Sequence, residues 1–167
     1  GIANVDIARK VFEQGVEKVI LNSVLLKNMS VLTDIASVYG TQSVVASIDY
    51  KTSILWGKKV YSKNGNNRSS FSPLELSIEA EKAGAGELII NAIDREGTYM
   101  GFDTDTIEQV VSKVQIPVVV SGGAGSLSDF QKAKKSGVSG MAVGSMFVYQ
   151  RPHNAVLISY PTNYFYD

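Results

Sequence analysis

The chain has 167 residues, 44% hydrophobic and 19% charged, enough for one globular domain with a sizeable core and too apolar for a disordered segment. Sixteen basic and 16 acidic residues cancel, which leaves no electrostatic case for a nucleic-acid or membrane-surface partner. Without cysteine there are no disulfides, zinc thiolates or cysteine nucleophiles, and no apolar run reaches the roughly 18–20 residues of a membrane span.

Apolar runs alternate with amphipathic segments along the chain. Val5–Glu13 places Val5, Ala8, Val11 and Phe12 on one helical face, with Gly15 as the stop. Lys18–Ser23 reads as a short strand, Met29–Tyr39 as a helix ended by Gly40, and Ser43–Asp49 (SVVASID) as a second strand. Ile54–Ser62 reads as an inserted hairpin turning at Gly57-Lys58-Lys59, and Ser62–Ser70 as a polar loop, so an insertion spans about residues 53–70. Ser72–Lys82 opens with Ser-Pro, good helix-starting chemistry, and stops at Gly84. Then follow strand Glu87–Ile93, helix Thr104–Lys113, strand Pro117–Val120, helix Leu127–Lys135 and strand Gly140–Ser145.

Strands without polar alternation, separated by helices, predict an α/β fold with a parallel sheet buried on both faces. An open doubly wound sheet competes with a (β/α)8 barrel. An internal repeat favours the barrel. Laid on Gly123–Ser145, Gly1–Ser23 matches at five of 23 positions, Gly1, Lys10, Gly15, Val16 and Ser23, at an offset of 122 residues. Two halves of that length make roughly the 250 residues of such a barrel. The expectation is a single domain over residues 1–167, equivalent to strands 4–8 of an incomplete TIM barrel, with the first three βα units missing.

Parallel α/β folds put their chemistry at the carboxyl ends of the strands. That selects Asn22 and Ser23, Asp49, Asn91 and Asp94, Ser121 to Gly123, and Gly144 with Ser145. In "SGGAGS" the glycines let backbone N–H groups approach an oxyanion at a helix start, and Gly144-Ser145 adds an N–H and a hydroxyl. This is a phosphate cradle, or simply a pair of tight turns. The repeat places Gly1, Asn22 and Ser23 where a second cradle belongs, and two cradles would grip a substrate phosphorylated at both ends. Gly97 could lend a further N–H. Asp49 closes its strand as a carboxylate suited to general acid–base work or as an ion-pair partner of Lys51. Asp94 is a second carboxylate candidate, or a partner of Arg95. His153, the sole histidine, reads as a surface or packing residue. Trp56 either covers a substrate or packs on its hairpin, and the tyrosine-rich tail "ISYPTNYFYD" packs on the body or on another chain. No metal or cofactor is implied.

"GVEKVILNS", "VVASID", "GAGELIINAIDREGT" and "IPVVVSGGAGS" together resemble the cyclase subunit of imidazole glycerol phosphate synthase, through about Phe147. The resemblance implies a (β/α)8 barrel and a lyase of histidine biosynthesis. Such a subunit takes ammonia from a glutaminase partner through the barrel and converts a bisphosphorylated ribotide to imidazole glycerol phosphate. It implies that Asp49 is one of two catalytic aspartates, the other lying on the absent first strand. Asn22 and Ser23, with Gly1 as the remnant of a glycine loop, would hold one phosphate, and Gly97, Gly122, Gly123, Gly144 and Ser145 the other. Asn91 stands where the family usually has a threonine facing the substrate, and Glu96 where it has an aspartate. Lys18 and Glu87, at the amino ends of their strands, resemble the charged ring that gates ammonia; a plain ion pair on the barrel floor is the other reading. "GTYMGFD" and "VYQRPHNAVLISYPT" differ from the usual histidine-pathway versions, and the latter resembles relatives associated with surface polysaccharide, thought to help place an amidino group on an acetamido sugar. A non-catalytic phosphate-binding fragment and the sister isomerase of the pathway are the remaining alternatives. A cytoplasmic protein is expected, since no basic flank leads into an apolar stretch near the start.

Overall fold

A computed structural model describes residues 1–150, 152–153 and 155–158. Its main elements are α1 (Val5–Phe12), β1 (Val19–Leu21), α2 (Ser30–Tyr39), β2 (Val44–Ser53), β3 (Gly57–Ser62), β4 (Asn67–Arg68), α3 (Pro73–Lys82), β5 (Glu87–Ala92), α4 (Thr104–Val111), β6 (Val118–Ser121), α5 (Leu127–Lys135), β7 (Gly140–Ala142) and a single helical turn, α6 (Ser145–Val148). The starts of α1 and α3 are capped by side chains. The Asn4 side chain accepts from the Ile7 amide, and at α3 Ser72 and Glu75 bond each other's backbone reciprocally, with Pro73 in the first turn.

The five strands β1, β2, β5, β6 and β7 lie side by side in chain order, every neighbouring pair parallel. This is an α/β fold with a parallel sheet. One face of the sheet carries Val44, Ala46, Ile48 and Tyr50 of β2, Leu88, Ile90 and Ala92 of β5, and Val118 and Val120 of β6. All are buried against Leu32, Ile35, Leu76, Ala80, Ile107, Val110 and Ala133 of the helices, in a single core. The other face differs from the expectation of a sheet buried on both sides. There Ser47, Asp49, Ile89, Asn91, Val119 and Ser121 are only half-buried, and Ile20 is 56% exposed. The alternation has period 2, so each strand presents an apolar row to the helices and a mixed row to the open face.

The insertion also differs from the sequence reading. β2 continues four residues past Asp49 and pairs antiparallel with β3, Tyr50 opposite Val60 and Ser53 opposite Gly57. The turn is therefore Ile54-Leu55-Trp56, and Gly57-Lys58-Lys59 lies inside β3, because β2 continues to Ser53 and its ladder with β3 begins at Gly57. The polar stretch after it is not a free loop: Asn67 and Arg68 pair back onto Ser62 and Tyr61, leaving a tight turn at 63–66. The Arg68 guanidinium lies 4.1 Å over the Trp56 ring, so Trp56 packs within the insertion.

A buried polar cluster ties the insertion to the body. The Asp103 carboxylate accepts from Tyr50 Oη at 3.0 Å, Lys58 Nζ at 2.8 Å and Thr106 Oγ1 at 2.7 Å. Burial works against the charge on Asp103, but these donors, led by Lys58, outweigh it and hold the carboxyl below its usual range. Burial and the neighbouring carboxylate push the Tyr50 phenol well up. Strand β7 ends at Ala142, shorter than expected, because the chain turns into α6 at Gly144. His153 is exposed, in keeping with a surface residue, and the tyrosine-rich tail from residue 159 onward lies outside the described residues.

Candidate functional site

The carboxyl ends of β1, β2, β5, β6 and β7 share one rim, and the period-2 alternation decides which side chains face the open side. On β2 that row is Ser47, Asp49 and Lys51; on β5 it is Ile89 and Asn91; on β6 it is Val119 and Ser121. Asp49 and Asn91 are directly opposed across β2 and β5, and the Asn91 amide donates to Asp49 Oδ1 at 2.9 Å. The alternative reading of Asp49, an ion pair with Lys51, does not hold: Lys51 Nζ donates to the Gly65 carbonyl instead. Asp49 Oδ2 has no hydrogen-bond partner among the described residues, so a half-buried carboxylate with one oriented oxygen faces the open side.

To one side of Asp49 lie Asn22 and Ser23, just past β1. Asn22 donates to Ser47 Oγ at 3.3 Å, Ser23 Oγ donates to Asn22 Oδ1 at 3.2 Å, and the Lys63 amide donates to Ser23 Oγ at 3.3 Å. Gly1 is exposed, with nothing within 4 Å of where a Cβ would stand, and no hydrogen bond joins it to this group. To the other side, Gly97, Gly122, Gly123, Gly144 and Ser145 line one small depression together with Glu96. A side chain cannot be accommodated at Gly122: its φ is +93° and a Cβ would stand 2.4 Å from the Ala92 carbonyl. The Ser145 hydroxyl donates to Glu96 Oε1 at 2.7 Å, which puts a carboxylate at the mouth of this depression. An anion entering it must displace Glu96 from Ser145.

Asp94 is not paired with Arg95. It accepts from the Thr52 amide at 3.0 Å and so links the far end of β2 to the loop after β5, while Arg95 donates to the Gly101 and Phe102 carbonyls. At the opposite, amino end of the sheet, Lys18 and Glu87 form an ion pair across the face of β2. Among the described residues no group of three His, Cys, Asp or Glu side chains is placed to hold a metal ion. Three contributors escaped the sequence reading. Ser47 orients Asn22. The 63–65 turn reaches Ser23. Tyr99, at a φ of +62°, donates through its hydroxyl to the Ser145 carbonyl at 3.3 Å. The Ser47-x-Asp49-x-Lys51 alternation was the available signal for the first of these.

The rim thus holds a carboxylate between two clusters of small and polar groups, on a sheet of sequential parallel strands. The sequence profile of the family described as histidine biosynthesis protein matches residues 1–153, and the chain belongs to that family. A Pseudomonas aeruginosa protein provisionally named imidazole glycerol phosphate synthase subunit hisF2 is 44% identical over 162 residues, covering 96% of this chain and 64% of its own length. A Leptospira interrogans protein with the provisional name imidazole glycerol phosphate synthase subunit HisF is 39% identical over 163 residues, with the same coverage of 96% and 64%. The imidazole glycerol phosphate synthase subunit HisF of Dictyoglomus thermophilum is 35% identical over 147 residues, 88% of this chain and 58% of the relative. The chain spans a little under two thirds of the length of these relatives.

Proposed function

We propose that this chain is the catalytic-face portion of a cyclase subunit of imidazole glycerol phosphate synthase, a lyase of histidine biosynthesis. It uses ammonia released by a glutaminase partner to convert a bisphosphorylated ribotide to imidazole glycerol phosphate in the cytoplasm. The observation that carries this reading is Asp49 on the open face, oriented by Asn91 and flanked on one rim by two clusters of small and polar groups. The family membership and the subunit names of the relatives support it.

The roles follow from the geometry. Asn22 and Ser23 present an amide and a hydroxyl to one phosphate. Gly97, Gly122, Gly123, Gly144 and Ser145 offer backbone N–H groups and a hydroxyl to the other once Glu96 moves aside. With both ends of the substrate fixed, the reacting centre lies over Asp49, whose free oxygen accepts or returns a proton. Lys18 and Glu87 stand at the opposite end of the same face, where ammonia enters if it travels along the axis. The sheet itself corresponds to strands 4–8 of an eight-stranded barrel: its strands run in sequential order, its helices lie on one face, and the half-buried row on the other is the barrel interior.

Complementation of a histidine auxotroph by the full-length protein tests the reading. The wild-type gene is expected to restore growth and Asp49→Asn to abolish it, with ammonia-dependent turnover falling at least about a hundredfold, the scale of a lost general acid–base group. Failure of a well-folded wild-type protein to complement would remove the histidine role and leave amidination of an acetamido sugar. Unchanged turnover in Asp49→Asn would remove Asp49 from the chemistry.

A further inference from the structure

The insertion after β2 does more than extend the sheet. Its second turn, Lys63-Asn64-Gly65, has all three residues at positive φ, +52°, +56° and +80°, an arrangement that costs about 1 kcal/mol or more for each non-glycine residue. Such a turn persists when its surroundings fix it, and here they do so at two points. At one end the Lys63 amide donates to Ser23 Oγ at 3.3 Å, beside β1. At the other the Gly65 carbonyl accepts from Lys51 Nζ at 2.9 Å, and a Cβ on Gly65 would stand 2.7 Å from Lys51 Cε and Nζ and 2.9 Å from Ile93 Cδ1. The turn therefore arches from the end of β1 across β2 to the end of β5, over the open face.

Lys51 is the residue that this arch holds. It follows Asp49 by two positions, on the same face of β2. Its ammonium has a carbonyl and the Tyr61 ring face, 5.1 Å from the ring centroid, as partners. No carboxylate lies within ion-pair distance of it, unlike Lys18, Lys58, Lys82 and Lys132. A half-buried cation with only neutral partners keeps its charge uncompensated and donor capacity available to an anion. The group of donors on this side of the rim is then an amide from Asn22, a hydroxyl from Ser23 and an ammonium from Lys51.

We propose that Lys51, positioned by the Lys63–Gly65 turn, supplies the cation of the anion pocket at Asn22 and Ser23. The inference rests on the two-pocket reading above. It adds a residue to one pocket and gives the insertion a function: without the arch the ammonium is free to extend into solvent. An approaching phosphate exchanges the neutral Gly65 carbonyl for a charged oxygen on Lys51, a stronger partner for an ammonium.

The test is titration of the full-length protein with inorganic phosphate, followed by phosphorus NMR. The wild type is expected to bind at two sites. In Lys51→Gln the amide still donates to the Gly65 carbonyl but the charge is gone, so a purely structural Lys51 predicts unchanged affinity. The proposal predicts that one of the two sites weakens by about tenfold, with a shallower dependence on salt, while the other is unaltered. Gly65→Ala, which displaces Lys51 without removing its charge, is expected to weaken the same site. In turnover, Lys51→Gln should raise KM more than it lowers kcat. Two sites of wild-type affinity in Lys51→Gln, with one lost in Asn22→Ala, would overturn the role of Lys51 and leave the pocket standing. No phosphate binding by the wild type would overturn both.

Discussion

At the scale of single residues, the rim is built from groups whose neighbours leave them one free function. Asp49 gives one oxygen to Asn91 and keeps the other. Ser23 is held between Asn22 and the Lys63 amide. Gly122 is fixed by its backbone: with φ at +93° and the Ala92 carbonyl 2.4 Å from a would-be Cβ, alanine there is both strained and obstructed. Gly122→Ala is expected to lower stability by about 2–3 kcal/mol in denaturant unfolding, and a change under about 0.5 kcal/mol would mean that the turn relaxes without cost. The residue types and strand-end positions of Asp49, Asn22, Ser23 and Ser145 were legible in the sequence, since an apolar run that ends in a polar or glycine residue marks a rim position. Their partners were not. Asp49 bonds Asn91, 42 residues away, rather than Lys51, and Ser145 bonds Glu96 across 49 residues. Pairings at that separation are set by register, which no local pattern encodes.

At the scale of elements, helices and parallel strands could be placed within a few residues because capping residues and apolar runs mark them locally. The insertion was misread at its turn. Gly57 attracts a turn assignment on composition, yet its φ of +63° is accommodated at the start of β3, and the chain reverses through Ile54, Leu55 and Trp56 instead. What anchors the insertion is the Asp103 cluster, invisible in sequence because Tyr50, Lys58, Asp103 and Thr106 come from three elements. The Asp103 carboxyl is held below its unfolded value, so its contribution to stability is fully present above about pH 4 and is lost as the pH falls through the folded value. Asp103→Asn is accordingly expected to cost about 2 kcal/mol near neutrality, with a cost that shrinks in acid. Thermal unfolding of both proteins from pH 7 to pH 3 checks this; a pH-independent difference would mean that the loss is one of packing.

At the scale of the whole molecule, the sheet has a protected centre and two edges. β2 and β5 are paired along both sides, whereas β1 and β7 each have a partner on one side among the described residues. In a closed eight-stranded barrel, amides of β1 and β7 in the full-length protein should exchange with solvent as slowly as those of β5. Fast exchange at β1 and β7 beside slow exchange at β5 would describe an open sheet instead. The sequence indicated the sequential parallel order but not the half-buried face, because an apolar strand looks alike whether its second side meets helices or a lumen.

That order carries a kinetic consequence. After β1, each parallel strand docks beside the parallel strand that precedes it in the chain, with a helix between them and, after β2, the hairpin insertion as well, so most loops to be closed stay short for a sheet protein. A chain emerging from the ribosome can add one strand–helix unit at a time to a growing edge, and no strand has to wait for a distant partner before its apolar row is covered.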